Sequence, residues 1–287
     1  MCTANSLATI TAASRSGDAT NQDRYFIGDG YAVVLDGAST PDPAPLDGGW
    51  YAEVLGGAIG RRLRIDPPTD LRSTLSAAIQ ETTERGSLTP DTSPSSTVTI
   101  VRWTTDILDA LVLGDSPLVI QTAAGIEHLR DDRLAGLTLP EREAYRAALR
   151  QGGGYGERHR NRMRRLVEAE RSQRNQPGGY WIAGAEPRAA QHAFTGRWAT
   201  PELRAVMLAT DGVSRGVDQF GTPASWDEAM DIARTDGPDS LLRIVEDAES
   251  SDADGCRWPR GKRHDDKTAV LLCFPRTCHN GPTRKVV

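Results

Sequence analysis

Several aspartates stand where apolar runs end. Asp36 closes "YAVVLD", Asp115 follows "ALVLG", Asp211 follows "AVMLAT", and Asp265 lies just ahead of "KTAVLLCF". Runs that are apolar throughout suit strands buried on both faces, so their ends deliver carboxylates to the rim of a core from positions far apart in the chain. Clustered aspartate oxygens are the donor set that hard divalent cations such as Mg²⁺ or Mn²⁺ require. A fifth carboxylate joins through strand register. Asp29-Gly30 lies between "RYFIG" and "YAVVL" and reads as a two-residue hairpin turn. Counting outward from that turn, Val33 faces Phe26 and Asp36 faces Asp23. Directly opposed carboxylates destabilise a strand pair. At an effective dielectric near 20, unit charges about 4 Å apart repel by about 4 kcal/mol. A bound cation removes the conflict. A solvated strand end with the register shifted by one is the alternative, and any single Asp-Gly is also compatible with an ordinary turn.

The elements that must position these residues follow from the pattern. Residues 46–65 place Trp50, Val54, Ala58 and Leu63 near helical spacing, and "TDLRSTLSAAIQETTER" predicts a second amphipathic helix with Thr69 as N-cap. "SSTVTIVRW", "DILDALVLGD" and "PLVIQTA" predict a meander of strands. Residues 130–178 are polar and read as helical, with "QGGGYGE" as a turn. Strands return at "GGYWIAG", "AQHAFTG" and "LRAVMLATDG", helices near 225–249, and a last strand at "KTAVLLCF". Strands, helices and strands again in mainly antiparallel order predict an α+β layered fold.

Composition sets the outer limits. The chain has 287 residues, 38 % hydrophobic and 25 % charged, and a net charge of −5. That balance is globular and argues against nucleic-acid binding through phosphate neutralisation. No apolar run approaches a membrane span. The first residues lack the basic and apolar regions of a signal peptide, so a cytoplasmic location is expected. The four cysteines form no CxxC pair; a zinc site from Cys273, Cys278 and His279 is the weaker reading. No Ser-His-Asp or Cys-His constellation stands out, and "ATDGVSRG" is not a nucleophile elbow.

Taken in order, "NQD", "VVLDG", "SST", "LVLGDS", "MLATDG" and "DDKTAVLL" resemble the metal-dependent protein serine/threonine phosphatases, the phosphatase 2C (PPM) family, over residues 13 to 274. The resemblance implies two central antiparallel β-sheets sandwiched between layers of α-helices, in a single catalytic domain over 1–287 with a variable helical flap at about 130–178. It implies two Mg²⁺ or Mn²⁺ ions that activate a water. Asp36 would bridge both ions, the Gly37 carbonyl would bind one of them, Asp211 and Asp265 would complete the other, and Asp23 would act directly or through water. Asp115 would hold a weaker third ion. The chain departs from the family in places. Asp18 stands where many members carry a phosphate-gripping arginine, leaving Arg15, Arg24 or an arginine of 158–174 for that role. Ala38-Ser39-Thr40 replaces the usual glycines, and Pro117 follows Asp115-Ser116 where an arginine is common.

Arg158, Arg162 and Arg165 share a helical face in the flap. They read either as a dock for an acidic or phosphorylated partner or as a solvated face. His264 abuts Asp265, which suits a proton-transfer or ligand-orienting role. The expected activity is phosphomonoester hydrolysis on phosphoserine or phosphothreonine in proteins, a cognate Ser/Thr kinase being one such partner. A phosphatase of the same fold acting on a small phosphorylated metabolite, or a non-catalytic metal-stabilised phosphoprotein-binding module, are the alternatives.

Overall fold

The structure, a computed structural model, describes residues 7–17, 20–38, 46–65, 69–90 and 92–275. Asp18, Ser39 and Thr40, and the Cys278 and His279 of the zinc reading, lie outside them. The chain runs β1 (Thr9–Arg15), β2 (Asp23–Gly28), β3 (Tyr31–Asp36), α1 (Gly48–Ile65), α2 (Leu71–Gly86), β4 (Val98–Trp103), β5 (Ile107–Leu113), β6 (Leu118–Thr122) and β7 (Ile126–Leu129). Then come α3 (Arg133–Gly136), α4 (Pro140–Arg150), α5 (Glu157–Ser172), β8 (Phe194–Ala199), β9 (Leu203–Ala209), α6 (Asp211–Arg215), α7 (Trp226–Thr235), α8 (Pro238–Ser251) and β10 (Lys267–Cys273).

Two five-stranded antiparallel sheets result, ordered β1-β10-β9-β6-β7 and β2-β3-β4-β5-β8. Side-chain alternation along β3 shows why the apolar runs are continuous. Val33 and Leu35 pack outward against Tyr51, Leu55 and Ile59 of α1 and Leu75 and Ile79 of α2. Ala32 and Val34 point the other way, into the layer between the sheets, where they meet Val206, Leu208, Val270 and Leu272. The outer face of the first sheet, with Met207 and Leu271, is covered by α7 and α8 through Trp226, Met230, Leu241 and Leu242. Each central strand is thus buried on both faces, which leaves its ends as the place where polar side chains can emerge.

The structure differs from the sequence-based expectations at three elements. The strands β4, β5 and β6 are not one meander: β5 pairs with β4 and β8, whereas β6 pairs with β7 and β9 in the other sheet. Gly114, at φ 86°, and Pro117, which has no N–H, break the ladder between β5 and β6 and carry the chain across. Asp115 sits on that crossover. "GGYWIAG" is not a strand but makes only isolated bridges, Ala183 with Ser96 and Tyr180 with Arg174, and between them Ile182 N donates to a side chain, Asn175 Oδ1, at 2.9 Å. The N-cap of α2 is Asp70 rather than Thr69, with Ser73 N donating to Asp70 Oδ2 at 3.0 Å. Among the described residues no helix is long and apolar enough to cross a membrane.

Candidate metal centre

The hairpin at Asp29-Gly30 has the expected register: Phe26 lies opposite Val33, and Asp23 opposite Asp36. Asp36-Gly37 does not turn. The backbone stays extended past β3, with Asp36 N donating to Thr97 Oγ1 at 3.1 Å, Thr97 N to Asp36 O at 3.0 Å and Ala38 N to Ser95 O at 2.9 Å. Gly37 is needed for a close approach, since a Cβ there would stand 2.4 Å from the Gly48 carbonyl at the start of α1.

Beside this pair, β9 ends in Thr210-Asp211 and β10 begins after Asp265-Asp266. Thr210 fastens three strands together: its hydroxyl donates to Asp23 Oδ2 at 2.9 Å and accepts from Thr268 N at 2.9 Å. Asp266 accepts from Gly17 N at 2.9 Å and Gln22 N at 2.8 Å, tying the approach to β2 onto β10. Gly212 lets α6 start against that loop, because a Cβ at this position would stand 1.9 Å from the Asp266 carbonyl oxygen. Gly212→Ala is therefore expected to cost about 1–3 kcal/mol of stability through overpacking, read from the denaturant midpoint. An unchanged midpoint would show that the loop accommodates a side chain there.

Asp36, Gly37, Asp115, Asp211, His264 and Asp265 line one cleft of about 970 Å³, whose wall also includes Arg215 and Lys262. Asp23 lies beneath, 3 % exposed, and its Oδ1 is buried with no hydrogen-bond partner. Burial, with the charges of Asp266 and Asp265, raises its carboxyl to about 7 against the pull of the nearby Thr268 and Thr210 hydroxyls. Burial and the repulsion of Asp23, Asp211 and Asp265 hold Asp36 well above the usual carboxylate range. Burial also lifts Asp211 to about 7, opposed by Arg215 and assisted by Asp265 and Asp115. Asp265 goes the other way: despite burial, Lys262 and Arg215 hold it low. Burial raises Asp115, against the pull of Arg215. An orphaned carboxylate oxygen beside mutually repelling aspartates fits a divalent cation, which supplies charge and accepts oxygen donors together. Among the described residues no group of three or more carboxylate, imidazole or thiolate side chains is already drawn together as a cage.

Other predicted residues stand elsewhere. Arg15 is not in the cleft; it pairs with Asp239 at 2.7 Å and Glu246 at 2.9 Å on α8. Arg24 pairs with Glu53 on α1 at 2.8 Å. His264 lines the cleft and its Nδ1 lies 3.2 Å from Oε2 of Glu249, a buried carboxylate that Lys267 Nζ approaches to 2.6 Å. In the flap, α4 and α5 pack through Tyr145, Leu149 and Leu166 and cover one side of the cleft. Of the arginines on α5, Arg160 and Arg164 line the cleft, with Arg142 and Arg146 of α4, whereas Arg158, Arg162 and Arg165 do not, Arg158 and Arg165 being exposed as the solvated-face alternative expects. The buried stripe of α5 runs through His159 and Leu166, and His159 Nε2 is 2.8 Å from the Gly261 carbonyl. That anchoring turns the 158/162/165 face away.

Sequence reasoning missed Arg215 and Lys262. Arg215, one helical turn after Asp211, donates from one guanidinium nitrogen to Asp211 and from another to Asp265. Lys262 Nζ donates to the other oxygen of Asp265 at 2.9 Å. For Arg215 the i,i+4 spacing from Asp211 was the available signal; Lys262 lies in a loop and had none.

No protein-family model and no curated sequence matches the chain. Solved structures do. The Ser/Thr phosphatase Stp1 of Staphylococcus aureus is 13 % identical with a TM-score of 0.59, covering 93 % of this chain and 94 % of that one. The PPM Ser-Thr phosphatase MsPP of Mycobacterium smegmatis, in complex with cacodylate, is 17 % identical with a TM-score of 0.56, covering 94 % of this chain and 100 % of that one. The catalytic domain of the Ser/Thr phosphatase PstP, in complex with two manganese ions, is 17 % identical with a TM-score of 0.56, covering 93 % and 97 %. At such identities the likeness is one of architecture, and the architecture, two antiparallel sheets between helical layers, is the fold of the PPM Ser/Thr phosphatases that the order of motifs implied.

Proposed function

We propose that the protein is a divalent-metal-dependent phosphomonoester hydrolase, with phosphoserine and phosphothreonine of proteins as its substrates and α3–α5 as its variable flap. The observation that carries this reading is the Asp23–Asp36 pair: a buried, unpartnered carboxylate oxygen directly across the sheet from a second carboxylate, at the floor of a cleft. Asp36, the Gly37 carbonyl, Asp23, Asp211 and Asp265 are the groups that would hold Mg²⁺ or Mn²⁺, and Asp115 would hold a weaker ion. Mg²⁺ or Mn²⁺ bound there supplies a nucleophilic water at neutral pH and neutralises charge on the phosphoryl oxygens.

The remaining chemistry belongs to the chain's own groups. Thr210 holds Asp23 in its rotamer, and Thr97 fixes the backbone at Asp36. Glu249 orients His264 and also accepts from Asp265 N at 3.4 Å, which holds the imidazole at the cleft wall. The flap narrows the cleft and presents Arg146, Arg160 and Arg164 to an anionic substrate. Arginine suits this because its planar fork binds phosphate and carboxylate in pairs.

The direct test is manganese-dependent hydrolysis of a phosphopeptide panel, phosphorylated metabolites and p-nitrophenyl phosphate side by side. Preference for phosphopeptides supports the reading; turnover of metabolites alone replaces it with a small-molecule phosphatase. Phosphopeptide binding without turnover of any substrate replaces it with a non-catalytic module. Changing Arg160 and Arg164 together to Ala should lower kcat/KM on a phosphoprotein by roughly tenfold, about 1.4 kcal/mol, and on p-nitrophenyl phosphate much less. Equal losses on both would move these arginines from docking to general support of the fold.

A further inference from the structure

The acidic centre already contains cations of its own. Both oxygens of Asp265 are paired, Oδ1 with Lys262 Nζ and Oδ2 with Arg215, and Arg215 also takes Asp211 Oδ2. Asp211 and Asp265 are the two residues that would complete a second metal ion. On the other side, Asp23 Oδ1 is buried without a partner, opposite Asp36. The cluster is thus divided: one half neutralised by the protein, one half left for a ligand.

We infer that the centre takes one divalent cation, on the Asp23–Asp36 side, and that the Arg215 guanidinium fills the place of the second. A second ion on Asp211 and Asp265 would have to displace the guanidinium that already occupies Asp211 Oδ2 and Asp265 Oδ2, or stand against it as a like charge in a partly buried cleft, which is costly. An arginine cannot escape that conflict by losing its proton. Arg215 is also held in place: it grows from α6, whose first turn is packed at Gly212 against the Asp266 carbonyl. With two of its nitrogens directed at carboxylates, its remaining N–H groups are available to the phosphate of a substrate in the cleft, the role that Asp18 cannot fill.

This inference rests on the metal-centre reading above, and one experiment separates their failures. Manganese is titrated into the full chain, bound metal is counted after equilibrium dialysis, and electron paramagnetic resonance reports whether bound ions are magnetically coupled, as neighbouring ions bridged by one carboxylate would be. The wild-type protein should bind one manganese tightly with an uncoupled spectrum. Arg215→Ala should raise the tight stoichiometry to two and give a coupled spectrum. Arg215→Lys, which keeps the charge, should stay at one. A coupled pair in the wild-type protein overturns the inference and leaves the metal centre standing. Wild-type protein that binds no manganese overturns both. If Arg215→Ala does not fold, the wild-type spectrum and Arg215→Lys decide: a coupled pair in either counts against Arg215 as the replacement, and single uncoupled ions in both support it.

Discussion

Replacing Asp36 with Asn is expected to lower manganese-dependent phosphatase activity by about a thousandfold, some 4 kcal/mol of transition-state stabilisation. Asp36 faces Asp23 across β2 and β3 and feels Asp211 and Asp265 besides, so its charge is the one shared by both halves of the cluster. Asparagine keeps the shape and one oxygen donor but removes that charge. The same substitution relieves repulsion, so without metal the variant should melt at a temperature equal to or above that of the wild-type protein. Loss of activity with stability retained distinguishes a functional role from a structural one. Activity near wild type with manganese present would move the centre away from Asp36.

A second large effect is expected from manganese itself. A cation that binds only the folded state stabilises it by about 2.7 kcal/mol at a hundred times its dissociation constant. At about 2–4 °C per kcal/mol for a domain of this size, the melting temperature should rise by roughly 5–10 °C. The gain should depend on pH in a definite direction. Unfolded aspartates ionise near 3.9, whereas burial raises Asp23 and Asp211 in the metal-free fold to about 7. Between about pH 4 and 7 the fold therefore holds more protons than the unfolded chain, and metal-free stability should fall as pH rises through that window. Manganese displaces those protons, so its stabilisation should grow from pH 5 to pH 7.5. Melting curves in EDTA and across a manganese titration at both pH values read this directly. A shift that is absent, or larger at pH 5, would contradict a cation bound by these carboxylates.

Much of the centre could be read before any tertiary information. The facing of Asp23 and Asp36 follows from a two-residue turn, because strand pairing has a period of two and the turn sets its phase. That Asp36, Asp115, Asp211 and Asp265 emerge at strand ends follows from runs too apolar to be exposed on either face. The layered antiparallel fold was legible for the same reason. What failed was decided at a distance. That β6 crosses to the other sheet is visible only in its pairing with β7 and β9, and Gly114 and Pro117 permit the crossing without announcing its destination. The face of α5 that meets the cleft was set by His159 reaching the Gly261 carbonyl, a contact across more than a hundred residues. Arg15 was drawn off by Asp239 and Glu246 of α8. Arg215 shows the division within one side chain: its pairing with Asp211 is local, one helical turn away. Its pairing with Asp265 exists only because β9 and β10 lie side by side, which brings together carboxylates that no local spacing relates.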